Sequence, residues 1–162
     1  MGYTVFILLT MLVLPLVAIL IRRSRTRASL LELVGTWFIF FGVGVRLLVA
    51  GLMQILNPGF TGALLQLDAN VLLIIQELGF TNVLLAVLAL ASLWKSEYRV
   101  LATAGAIYMG FAGILHLLNQ TPDSTAREGV ALYSDLWICL IALVYLGFSY
   151  TKLLQSRSAL RN

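Results

Sequence analysis

Charge is what this sequence has least of. Only 11% of its 162 residues are Asp, Glu, Lys or Arg, against roughly 25% in an ordinary soluble domain. With 60% hydrophobic residues and a mean hydropathy of +0.97, a water-soluble globule is excluded as the economical reading. Thiols are nearly absent. The single cysteine, Cys139, has no partner for an internal disulfide, a Cys-X-X-Cys pair or a zinc site, so it reads as a small packing residue. The single histidine, His116, excludes bis-histidine haem ligation within one chain and leaves only a haem shared with a partner open. Gly-rich phosphate loops, HExxH spacing and Ser/His/Asp sets are also missing, so no catalytic chemistry can be named and an enzyme is not the favoured reading.

What the chain does have is a series of apolar runs, each about long enough to cross a hydrocarbon core of roughly 30 Å. They predict an all-α, polytopic helical bundle occupying residues 1–162 as a single membrane domain, with spans at about 3–21, 29–56, 70–94, 100–118 and 130–153. No separate soluble domain is expected. The first run is followed, not preceded, by the positive cluster RRSRTR, the reverse of a signal peptide, so it is expected to stay in the protein. Pro15 inside it should bend that helix. The second run stops at NPG, a strong turn signal. Residues 59–68, GFTGALLQLD, fit either an interfacial helix or an early start to the third span.

Arginine and lysine set the expected direction, since cytoplasmic loops retain them. Arg22, Arg23, Arg25 and Arg27 follow span one, Lys95 and Arg99 follow span three, and Lys152, Arg157 and Arg161 follow span five, which puts nine of eleven basic residues on one side. The N-terminus is then outside and the C-terminus cytoplasmic, in a cell membrane expected to be a prokaryotic inner membrane. This topology accounts for the net charge of +4. It therefore argues against a nucleic-acid partner, while RRSRTR could attract anionic lipid. Trp94, Tyr98, Tyr145 and Tyr150 are expected in the cytoplasmic aromatic belt.

Four ionisable residues fall inside the spans: Arg46, Glu77, His116 and Asp135. With the expected topology all four lie in the outer half, Glu77 roughly 10 Å and Arg46 roughly 15 Å deep. Each costs about 2.5–3.5 kcal/mol near the bilayer centre, a cost that mutual pairing relieves. Arg46 shares a helical stripe with Gly35 and Gly42, His116 with Ala102, Gly105, Met109 and Ala112, and Asp135 with Cys139, Ala142 and Ser149, which points these charges toward close-packed helix faces. The expectation is a polar cluster in which Glu77 meets Arg46, with Asn82 and Gln76 nearby. Two readings stay open: an interhelical lock, or a site for a proton or a small apolar, quinone-like or lipid-like ligand. A metal is disfavoured because Arg46 would repel a cation and no second histidine exists.

QELGFTNVLLAVLAL, then a short basic turn, a span ending in HLLN and a span with an early aspartate, resemble a family of small bacterial and archaeal membrane proteins of unknown function allied to the DoxX-like superfamily. The resemblance covers roughly residues 30–150. It implies a four-helix core preceded by an N-terminal span, and it matches Glu77, Gly79 and Asn82 of an E-L-G-x-x-N segment together with His116 and Asp135. DoxX is associated with a thiosulfate:quinone oxidoreductase, so the resemblance also implies a rival expectation: an accessory subunit of a larger membrane complex, a redox complex by this analogy, with the charge cluster as a structural lock.

Overall fold

A computed structural model of the chain describes residues 2–64, 67–95, 97–118 and 126–159. Residues 119–125 of the expected polar loop NQTPDSTAREG and the final basic residue, Arg161, lie outside the described residues, as do the side chains of Arg127, Glu128 and Arg157. Among the described residues six helices carry the fold: α1 (Gly2–Arg23), α2 (Leu30–Leu56), the short α3 (Pro58–Leu64), α4 (Leu72–Ala91), α5 (Glu97–Leu118) and α6 (Ala126–Ala159). Five of them, all but α3, are long and apolar enough to cross a membrane. The described residues form no strand. At 1.5 Å per residue α6 is roughly 50 Å long, so it outruns the hydrocarbon and carries its basic end beyond it.

Residues 59–68 divide between elements. Helix α3 ends at Leu64, and Ala69–Val71 make a single 3-10 turn before α4 starts at Leu72. Residues 65 and 66 lie outside the described residues; up to Leu64 the segment is a separate short helix, because Asn57 breaks the continuous helical path: its φ of −143° and ψ of 66° end α2, and Pro58 then restarts the chain with a preset φ.

Helix α2 is the hub. It packs against α1, α4, α5 and α6, while α1, α6, α5 and α4 follow one another around it. Its own sequence explains this role, for it supplies the close approaches. A Cβ at Gly35 would strike the Tyr145 ring of α6, one at Gly42 the Ile138 side chain of α6, and one at Gly51 would come within 2.7 Å of the Gly79 carbonyl of α4. Lipid offers no hydrophobic drive between helices, so such small-residue contacts do the packing. Tyr145 is thereby buried rather than placed in the aromatic belt, since the missing side chain of Gly35 makes room for its ring. Trp94 and Tyr150 are exposed.

Both of the first two spans contain π-helical stretches, Leu9–Val13 and Ile39–Val45. The first runs up to Pro15, whose ring and missing amide forbid the regular bond to the preceding turn. The second contains Gly42 and Gly44, and at its end the Arg46 amide donates to the Phe41 carbonyl five residues back. Such wide turns re-aim the residues that follow and often occur at functional sites.

The end bearing the basic loops is tied by side chains. Ser29 and Glu32 form a capping box at the start of α2. The second Glu32 oxygen accepts from Lys152 of α6, and Thr36 donates to the Glu32 carbonyl while accepting from Arg99 of α5 at 3.0 Å. One turn of α2 thus holds α5 and α6.

Candidate functional site

Within the bundle, Arg46 of α2 donates through Nη2 to Asp135 Oδ1 of α6 at 2.5 Å. Both side chains are nearly enclosed, at 8% and 13% exposure. The α2 π stretch ends immediately before Arg46. On the other side Gly113 of α5 keeps a hypothetical Cβ only 3.3 Å from the Asp135 Cβ, so its hydrogen side chain lets α5 and α6 close around the carboxylate. Three further polar side chains, Tyr3 of α1, Tyr108 of α5 and His116 of α5, lie within electrostatic reach of Asp135. Tyr3 is also within reach of Arg46. The cluster therefore draws on α1, α2, α5 and α6.

One donor of this cluster is unused. The second terminal nitrogen of Arg46, Nη1, is buried and has no hydrogen-bond acceptor among the described residues. A buried donor without a partner forfeits the hydration it had in water, at a cost of about 1–3 kcal/mol or more for a charged group. An oxygen acceptor reaching Nη1 would recover that cost.

The expected partner of Arg46 is not the observed one. Glu77 is exposed on the outer face of α4, and its place opposite Arg46 is taken by Asp135. The physical reason is the azimuth of α4: its buried line is Ile75, Gly79, Asn82, Ala86 and Ala89, and at 100° per residue Glu77 points well over a quarter-turn away from that line. Asn82 is buried but belongs to a different junction. Its amide nitrogen donates to Gln54 Oε1 of α2 at 2.7 Å, beside the Gly51–Gly79 crossing, and Gln76 donates to the Ile55 carbonyl at 3.2 Å. Gln54 is eight residues beyond Arg46, roughly 12 Å along the axis, so this junction is separate from the Arg46–Asp135 pair. Of the five residues singled out from the sequence, Arg46 and Asp135 pair, His116 stands near them, and Asn82 and Glu77 do not join.

Tyr3 and Tyr108 were missed by sequence reasoning. The available signal was their depth: Tyr108 is midway along α5, where an aromatic hydroxyl needs a polar partner.

Residues 1–153 match the profile of a family described as "Family of unknown function (DUF6790)". The chain belongs to that family. Neither a curated protein nor a solved structure matches it. Together with the five apolar helices, this makes the chain a multi-pass integral membrane protein of a family whose activity is not established.

Proposed function

We propose that the chain binds a small apolar ligand carrying a hydrogen-bond-accepting oxygen, such as a quinone carbonyl or a lipid ester, at the Arg46–Asp135 pair. The observation that carries this reading is the unpartnered, buried Arg46 Nη1. Asp135 holds the guanidinium through Nη2 and so fixes where Nη1 points, and a fixed donor discriminates better than a mobile one. Tyr3 and Tyr108 offer further hydroxyls. In this reading His116, partly exposed toward the end of α5, is the group that exchanges protons between the site and the surface. The guanidinium charge works against a bound cation.

The same proposal includes the direction of insertion, with the basic loops cytoplasmic and the site opening outward in a prokaryotic inner membrane. A four-helix DoxX-like core behind α1 would fit a quinone ligand by analogy alone. The test is native mass spectrometry of the protein extracted gently from its own membrane, beside the double variant Arg46→Met, Asp135→Leu. A discrete small adduct on the natural chain and none on the double variant supports the site. An identical adduct on both, or no adduct and recovery within a large hetero-complex, sinks it and favours the accessory-subunit reading with the pair as a lock.

A further inference from the structure

Arg99, in the first turn of α5, is a cation held by a neutral partner. Its Nη1 donates to the Thr36 hydroxyl of α2 at 3.0 Å, and Thr36 is itself tied to the Glu32 carbonyl. The guanidinium is therefore fixed from one side. Its Nε, on the edge away from Nη1, is buried and has no acceptor among the described residues. The ion pairs of the described residues are Arg46–Asp135 and Lys152–Glu32, so none of their carboxylates meets Arg99. Asp123 and Glu128, whose side chains are not described, come after the far end of α5 in the chain.

The residues on either side of Arg99 in the chain differ in character. Before it, Trp94 is 80% exposed and the Lys95 ammonium lies 5.9 Å from the Tyr98 ring centroid, the aromatic and basic residues of a membrane interface. After it, Val100 and Leu101 are 47% and 54% exposed, an apolar surface against which acyl chains can lie. Arg22, Arg23, Arg25 and Arg27 are all exposed, at the end of α1 and in its connection to α2, and they add positive potential at this end of the bundle.

We propose that Arg99 holds the phosphate of an anionic phospholipid head group, with Lys95 beside it and the acyl chains along Val100 and Leu101. The Nε and Nη2 edge of a guanidinium meets two phosphate oxygens with parallel bonds, and an oxygen reaching Nε recovers the cost of its unpaired burial. A head group without an ammonium of its own suits an end of the bundle rich in cations, where a second positive charge would be repelled. Thr36 precedes Arg46 by ten residues, roughly 15 Å along α2, so this site is separate from the Arg46–Asp135 pair. It depends neither on that pair nor on the direction of insertion.

The experiment is native mass spectrometry of the purified full chain in detergent, with phosphatidylglycerol, phosphatidylcholine of the same acyl chains, or glycerol 3-phosphate added. The natural chain should retain phosphatidylglycerol about fivefold or more over phosphatidylcholine and should not retain glycerol 3-phosphate. Arg99→Lys keeps the charge and loses the fork, so it should cut phosphatidylglycerol retention about tenfold, whereas Arg25→Lys should leave it unchanged. Its melt without lipid should match that of the natural chain, because an ammonium can still donate to Thr36. The Arg46→Met, Asp135→Leu chain should keep the preference. Equal retention of the two lipids by the natural chain overturns the proposal without any variant. So does glycerol 3-phosphate retained as well as the lipid, which would make this a site for free phosphate. Equal effects of Arg99→Lys and Arg25→Lys also overturn it, leaving only a diffuse surface field, and so does loss of the preference in the double variant, which would put the lipid at the other site.

Discussion

Arg46 and Asp135 show how much the worth of a charge pair depends on where it sits. Removing one partner of a buried pair leaves an uncompensated charge, at a cost of about 3–5 kcal/mol, whereas replacing both by apolar residues of similar volume is often neutral. Asp135→Ala should therefore lower the midpoint of thermal unfolding in detergent strongly, and Arg46→Met, Asp135→Leu should recover most of the loss while abolishing ligand retention. Equal damage from the single and double variants would mean that the pair's neighbours, not its charge balance, hold the site. The sequence announced both residues, because a charge inside a span must be relieved. It did not announce which carboxylate relieves Arg46. Helix α4 is apolar nearly all the way round, so hydropathy does not mark its inner face. Only the line Gly79, Asn82, Ala86 and Ala89 does, and Glu77 lies off it.

Within an element, a missing Cβ can matter as much as a charge. The α2–α4 crossing depends on Gly51 and Gly79. A Cβ at Gly79 would come to 2.8 Å from Ile55 Cγ1 and 2.9 Å from the Gly51 carbonyl. Gly79→Val should destabilise the bundle by at least about 1–3 kcal/mol, as overpacking does, and should break the Gln54–Asn82 bond at the same crossing. A calorimetric or scanning-fluorescence melt unchanged from the natural chain would show that the two helices separate at little cost. At the basic end the ranking reverses. Lys152 is 53% exposed and its Glu32 partner 34%, so Lys152→Ala should cost no more than about 1 kcal/mol and less in high salt. Ser29→Ala, which removes the cap itself, should cost about 1 kcal/mol with little salt dependence. The apolar runs and turn signals made the helices legible. The π stretches were not, apart from the hint of Pro15, because a wide turn leaves no period of its own in so short a segment.

For the whole molecule, span number followed from composition, but the position of α2 at the hub did not. Any of five apolar helices could take that place, and α2 takes it because Gly35 and Gly42 let α6 close on one side of it while Gly51 lets α4 close on another. Direction of insertion rests on the basic loops, and it decides what the Arg46–Asp135 cluster can exchange with. If the loop after α1 is cytoplasmic, the junction between α2 and α3 is outside, and His116 near the end of α5 opens to the same side. Ser24 and Asn57 are both exposed, in the first and second connections respectively. In a Cys139→Ser chain, Asn57→Cys should react with a membrane-impermeant maleimide on intact cells, and Ser24→Cys only after the membrane is breached. The reverse pattern would turn the bundle over. The cluster would then lie nearer the cytoplasmic surface, and any proton passed through His116 would be exchanged with the cell interior.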